Sequence, residues 1–219
     1  MPKLFAVFSF KYDSNLLPDL FKNLEFCDGF IIHDDRSSKE KWYHEGETRQ
    51  MLISKARTAG ADWVLCIDPD ERLEKSAGEK IRMLIKKDQK NIYGFPFREL
   101  WSEDEYRVDG IWGKKVKHVL FPIHEGQEFL NLRVHSPWAP VNTNYTLVQT
   151  DINLYHLKNI PPSNRKQRAD LYNELDPNRE IQPIGYDYLA NEEGLILKKI
   201  DEGREFYPRY QSEYNIVQF

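Results

Sequence analysis

Asp62-Trp63-Val64-Leu65-Cys66-Ile67-Asp68-Pro69-Asp70-Glu71-Arg72 is the stretch on which the fold reading turns. Trp63 to Ile67 is an unbroken apolar run with β-branched and aromatic members, and reads as a strand covered on both faces, as in a parallel sheet. The run ends in an acidic turn. Pro69 pushes Asp68 into an extended conformation and favours a turn immediately after it. Asp68, Asp70 and Glu71 repel one another unless a cation sits among them, and hard carboxylate oxygens suit Mg2+ or Mn2+. The alternative is a solvated strand end whose acids cap the next helix. The apolar strand before the turn, and a second acidic strand end at Asp34-Asp35, weigh against it.

Working outward, Leu4 to Phe10 reads as a buried strand and Leu16 to Leu24 as a helix, with Pro18 tolerated in its first turn. Asp28-Gly29 makes a turn, and Phe30 to Ile32 is a second strand that ends in His33-Asp34-Asp35. Arg36 to Lys41 is a polar loop. Thr48 to Ala59 has helical periodicity and Gly60 stops it. Ser76 to Lys87 is a further helix. Strand and helix thus alternate through residues 1–90, which implies βαβ crossovers and a layered α/β sheet. Ligands of such sheets bind beyond the carboxyl ends of the strands. Those ends carry Ser9 to Asp13, His33 to Arg36 and Asp68 to Arg72, which should converge on one crevice. Residues 91–219 are less regular. Short β-like runs at Val116 to Ile123, Leu130 to Val134 and Thr146 to Leu154 predict mixed or antiparallel strands. Pro161 to Asp176 and Tyr186 to Gly203 read as helices. No internal repeat or low-complexity segment appears.

The chain has 219 residues, 40% hydrophobic and 30% charged, an ordinary globular composition. A formal net charge of −4 argues against a nucleic-acid partner, whose phosphates call for excess Lys and Arg. Cys27 and Cys66 lie far apart beside apolar residues and show no zinc-type spacing. They read as buried thiols in a reducing compartment, hence a cytoplasmic location, with a single disulfide as the alternative. The apolar start is too short for a secretory signal, and no run is long enough for a transmembrane segment.

Two segments together carry a family likeness. Ile31-Ile32-His33-Asp34-Asp35-Arg36-Ser37-Ser38, then Arg49 in a helix, then Ala59-Gly60-Ala61 leading into the acidic strand end, resemble the GT-A glycosyltransferases, family 2-like enzymes most closely. The likeness covers residues 4 to 90. Leu154-Tyr155-His156-Leu157 with Arg165, Arg168 and Tyr172 is similar to the tail of short members. The resemblance implies a single-domain GT-A (Rossmann-like) mixed sheet flanked by helices, with residues 1–90 as the nucleotide-binding half and residues 91–219 as the acceptor-side half with C-terminal helices. It implies transfer of a sugar from a nucleotide-diphosphate sugar, UDP-sugar favoured, to an acceptor hydroxyl on a glycan, lipid-linked sugar or glycoprotein. It also implies dependence on Mn2+ or Mg2+, which would offset charge on the departing diphosphate.

By position, Asp34 matches the reader of the nucleobase, with Asp35 beside it, and the backbone at Ser9 and Phe10 lines the same pocket. Arg49 matches a basic position near base and diphosphate. Asp68 matches the first acid of the DxD motif, facing ribose and metal, Asp70 the direct metal ligand, and Glu71 a supporting acid. His156 is a further candidate metal ligand, or a satisfied structural histidine. Arg165 and Arg168 share a helix face and could clamp diphosphate oxygens, or form a solvated basic face. Lys114, Lys115 and Lys117 carry the same two readings. Trp101, Trp112 and Trp138 read as sugar platforms or as core.

An inverting displacement requires a carboxylate to take the acceptor proton. Asp109, beside Gly110 and Trp112, is the preferred base and Glu99 the second. A haloacid-dehalogenase-like phosphatase, with Asp68 as nucleophile, is an alternative. There the motif normally opens the chain, whereas here it comes third among the strands. A non-catalytic nucleotide- or carbohydrate-binding module is another.

Overall fold

The computed structural model describes residues 1–38, 45–87, 90–132, 135–142 and 144–210. The order along the chain is β1 (Leu4–Phe10), α1 (Leu17–Asn23), β2 (Gly29–Asp34), α2 (Glu45–Thr58), β3 (Trp63–Cys66), β4 (Glu71–Leu73), α3 (Ala77–Lys87), β5 (Asn91–Glu99), β6 (Glu105–Arg107), β7 (Val116–Pro122), β8 (Thr146–Gln149), β9 (Leu154–His156), α4 (Pro162–Leu175) and β10 (Leu197–Lys199). Among the described residues the main sheet has eight strands in the order β2-β1-β3-β7-β5-β9-β4, with β8 also paired to β5. β6 and β10 form a separate ribbon. This is a mixed α/β sheet flanked by helices, the class expected.

β1 is the axis of the first half. It pairs in parallel with β2 on one side and β3 on the other, with Phe10 opposite Asp34 and Val7 opposite Cys66. All of β3 is buried, as its uninterrupted apolar run demands. α2 closes at its C-terminus as anticipated: Gly60 takes a φ of 81°. The N–H of Ala61 then reaches the carbonyl of Ala56 and that of Gly60 the carbonyl of Arg57, a Schellman cap. α3 buries Ala77, Ile81 and Ile85, one stripe at helical spacing.

The two halves share one sheet. β7 is antiparallel to both β3 and β5 and joins them, so a single apolar core runs from Leu4 to Leu154. Of the β-like run at Leu130, residues 130–132 carry no strand and residues 133 and 134 lie outside the described residues. Residues 39–41 of the anticipated polar loop lie outside them too.

The helix expected over Tyr186 to Gly203 does not form. Asp187–Leu189 is a 3-10 turn, and β10 follows, antiparallel to β6. Gly194 at φ 69° interrupts any helix there. Tyr186, Leu189, Leu195 and Leu197 instead pack around Trp101, Trp112 and Ala169, so their spacing reflects docking on that cluster and not a helical face. Cys27 and Cys66 are free thiols, and burial raises the pKa of both. Among the described residues no helix is long and apolar enough to cross a membrane.

The acidic turn after β3 is held from behind by Arg72, which is almost fully buried. Its guanidinium donates to the carbonyls of Pro69 (2.8 Å), Glu71 (2.6 Å) and Leu16 (2.8 Å). It thereby pins the turn to the start of α1. Lysine has the charge but not the forked donors. Arg72→Lys should therefore lower unfolding free energy by about 3 kcal/mol, the scale of losing charged hydrogen bonds in a buried site. Denaturant titration checks this, and an unchanged midpoint would remove Arg72 from that role.

Candidate functional site

The parallel strands β2, β1 and β3 all end at one cleft of about 740 Å3, within the range of small-ligand sites. β1 contributes Ser9 and Phe10, followed by Lys11 and Asp13. β2 contributes His33 and then Asp35. The turn after β3 contributes Asp68 to Glu71, and α2 contributes Glu45 and Arg49. The opposite wall comes from the second half: Glu99 at the end of β5, Lys115 and Lys117 at the start of β7, His156 at the end of β9, and Arg168 and Tyr172 on α4.

Strand pairing explains this convergence. β4 and β9 are antiparallel with Glu71 opposite His156, while β5 and β9 are parallel with Glu99 opposite His156. His156 is therefore flanked by acids. Its Nε2 lies 3.1 Å from Asp70 Oδ2 and its Nδ1 2.5 Å from Glu99 Oε2. Burial works against a charged ring, but Glu99 and Asp70 outweigh it and push the imidazole pKa up to about 9. A carboxylate at each ring nitrogen favours the charged form, in which both N–H groups donate. Glu99 also accepts from Asn159 Nδ2 (3.1 Å), whose Oδ1 accepts from Arg168 (2.7 Å). A continuous relay thus runs Asp70, His156, Glu99, Asn159, Arg168. Burial would raise Glu99, yet His156 dominates and lowers it to about 2.

On the other side of the turn, Lys117 Nζ is 2.6 Å from Asp68 Oδ2 and also donates to Glu71 Oε1. The second Glu71 oxygen accepts the backbone N–H of Asp68 at 2.9 Å. Lys158 holds both oxygens of Asp13, at 2.7 and 2.9 Å. Arg49 lies 3.1 Å from Glu45 Oε2 and 4.6 Å above the Trp138 ring. Burial raises the pKa of Asp13 and of Glu45 above the ordinary carboxylate value.

Of the residues singled out from sequence, Ser9, Phe10, Asp35, Arg49, Asp68, Asp70, Glu99, His156 and Arg168 line this cleft; Asp34, Arg165 and Asp109 do not. Asp34 and Asp35 fall on opposite sides because neighbouring strand residues alternate. Asp34 is half exposed and clasped by Arg36, at 2.9 Å to Oδ1 and 2.5 Å to Oδ2. Arg165 is buried in a bracing role. It donates to the carbonyls of Asn159 and Trp101 (2.8 Å each), pairs with Glu192, and stacks 4.1 Å over Trp101. Trp101 and Trp112 are core. Asp13, Glu45 and Lys158 were not singled out. Asp13 sat within the polar end of β1, but nothing local to Glu45 or Lys158 signals that distant strands carry them inward.

The residues read from sequence as holding Mn2+ or Mg2+ have protein partners in this arrangement. Asp68 and Glu71 are committed to an ammonium, and both nitrogens of His156 to carboxylates. Among the described residues no group of three or more His, Cys, Asp or Glu is placed to hold a metal ion.

No protein-family model and no curated protein matches the chain. Among solved structures it is similar to S. aureus TarS, at 10% identity over 83% of this chain and 44% of that one, with a TM-score of 0.48. The chain thus spans less than half the length of that protein. It is similar to S. aureus TarS 1–349 in complex with UDP-GlcNAc, at 12% identity, 87% and 71% coverage, and a TM-score of 0.48. A third is a glycosyltransferase involved in the glycosylation of the major capsid of PBCV-1, at 13% identity, 57% and 61% coverage, and a TM-score of 0.34.

Asp109, the preferred base from sequence, is instead a clasp. Both its oxygens accept from Arg107 at 2.8 Å, and Oδ1 also accepts the N–H of Ile196 at 3.0 Å. The Arg107 hydrogen bonds lower its pKa to about 2 from an ordinary 3.8. A carboxylate lowered on folding stabilises the fold fully above its unfolded value, and that contribution is lost as pH falls through the folded one. Asp109→Asn should therefore lower the melting temperature at neutral pH, and the gap to wild type should shrink between pH 4 and 2. Melting curves across that window check it, and a gap that widened with acid would contradict the clasp.

Proposed function

We propose that this chain is a glycosyltransferase that moves a sugar from a nucleoside-diphosphate sugar, a UDP-sugar first of all, to an acceptor hydroxyl with inversion. One observation carries the reading: the ends of β1, β2 and β3 open into a cleft of about 740 Å3 that faces carboxylates on one wall and Lys115, Lys117, Lys158 and Arg168 on others. A diphosphate needs fixed cations, and a sugar needs carboxylate acceptors for its hydroxyls. This cleft supplies both, at the place where layered α/β sheets bind ligands. The family 2-like pattern in residues 4 to 90 supports the same conclusion.

In the reaction the acceptor oxygen forms a bond to the anomeric carbon as the bond from that carbon to the β-phosphate oxygen breaks. The electron pair of the broken bond leaves with the nucleoside diphosphate. The hydroxyl proton goes to a carboxylate, and Glu45 is best suited to receive it. Burial raises its proton affinity, and its contacts with Arg49 and the N–H of Ser136, each at 3.1 Å, both fall on Oε2. Asp13 is also raised but has both oxygens on Lys158. Glu99 is lowered to about 2 and serves to hold His156. Arg168, on the cleft wall and charged, faces the diphosphate. The acceptor is a glycan, a lipid-linked sugar or a glycoprotein.

UDP at about a hundredfold excess over its dissociation constant should stabilise the chain by about 2.7 kcal/mol, and UDP-sugars should likewise raise the melting temperature. Glu45→Gln should retain that shift and lose transfer by about 10²–10⁴-fold, the usual worth of a general base. Wild-type turnover in that variant would move the base elsewhere. A chain that no nucleoside diphosphate stabilises would end the glycosyl-transfer reading.

A further inference from the structure

We infer that Lys117 is the resident cation of the acidic turn, so that the cleft takes a nucleoside diphosphate without recruiting a divalent metal. The inference rests on the donor class proposed above but concerns a different property of the site.

The turn has one electrostatic problem, three acids in four residues, and two possible solutions, a metal or a protein cation. The structure supplies the second. β3 and β7 are antiparallel with Trp63 opposite Pro122 and Leu65 opposite Leu120. Continuing that register beyond its last pair sets Lys117 opposite Asp68. The backbone itself thus places this ammonium beside the turn, with Nζ 5.6 Å from the centroid of the Phe97 ring. Its Nζ contacts Asp68 Oδ2 and Glu71 Oε1. The remaining acid, Asp70, has His156 Nε2 at 3.1 Å from its Oδ2.

Each acid of the turn therefore already has a partner, and so has the rest of the cleft. Among the described residues its seven carboxylates share the lining with six Lys and Arg side chains and with His156. A divalent ion at such a site is held by one or two carboxylates together with the phosphates of its ligand, and here the carboxylates of the turn already face Lys117 and His156. An ammonium carries three donors; Asp68 and Glu71 take two, and the third is available to a phosphate oxygen of the ligand. Lys117 is then a diphosphate-binding residue, in the place where Asp68 and Asp70 would otherwise hold the metal.

The test is a calorimetric titration of the ligand-free chain with MnCl2, beside UDP-induced thermal shifts in EDTA and in MnCl2. Wild type should take up Mn2+ only weakly, and its UDP shift should be the same in EDTA and in MnCl2. Lys117→Met keeps the bulk and removes the charge. It should bind Mn2+ about tenfold or more tightly than wild type, about 1.4 kcal/mol, and the added change Asp68→Asn should abolish the gain. Wild-type Mn2+ binding as tight as in Lys117→Met, or a wild-type UDP shift that appears only with MnCl2, would overturn the inference. The wild-type arms decide the matter even if the variant fails to fold. Absence of any UDP shift in both EDTA and MnCl2 would instead count against the donor class, and the MnCl2 titration would still report on Lys117.

Discussion

Carboxylates gathered at the end of a buried strand must be neutralised, and the way this chain neutralises them organises its second half. Asp68, Asp70 and Glu71 follow a strand with no exposed residue. β7 brings Lys117 to the outer pair of acids, and β9 brings His156 to Asp70. Both arrive by antiparallel pairing, with β3 for the one and β4 for the other. Removing one member of a buried pair strands the other charge at a cost of about 3–5 kcal/mol. The register of these strands is therefore tied to the charges it matches.

The same logic extends in layers. His156 needs Glu99, Glu99 needs Asn159, and Asn159 orients Arg168. Arg165, one turn earlier on α4, fixes the backbone of Asn159 and stacks on Trp101, so the helix is locked to the relay it serves. Behind the turn, Arg72 ties the backbone of Pro69 and Glu71 to Leu16. Farther out, the nearly fully buried Glu74 takes Lys80 at 2.7 Å and Arg204 at 2.9 Å, which anchors the C-terminal segment to the start of α3. A cleft built from pairs is close to neutral yet carries strong local fields. An anionic ligand would bind there by sharing cations already held in position, which avoids a reorganisation cost.

Where local pattern and local structure coincide, the reading from sequence was sufficient. β1 needs only its apolar run, α3 its Ala77, Ile81, Ile85 stripe, and α2 its Gly60 stop. The segment after Tyr186 shows the opposite case. It reads as a helix from sequence, but Leu189, Leu195 and Leu197 answer to Trp101 and Trp112, whose position depends on β5 and the loop before β7. Asp34 and Asp35 show how fine the margin is. Two adjacent acids at a strand end are equivalent in sequence, and strand alternation sends one into the cleft and leaves the other clasped by Arg36 at the surface.

The sequence by itself determined that strands and helices alternate through the first ninety residues, that the strand ends converge, and that Asp68 and Asp70 stand at the point of convergence. These follow from hydrophobic periodicity and turn chemistry, which act over a few residues. Tertiary structure alone decided which cation meets those acids, that Asp109 is a clasp away from the cleft, and that Glu45, Asp13 and Lys158 belong to its wall. Asp68 and Lys117 are separated by 49 positions, and His156 and Asp70 by 86. Which partner closes such a gap is set by strand order and register, and those emerge only when the whole sheet satisfies its hydrogen bonds and buries its charges together.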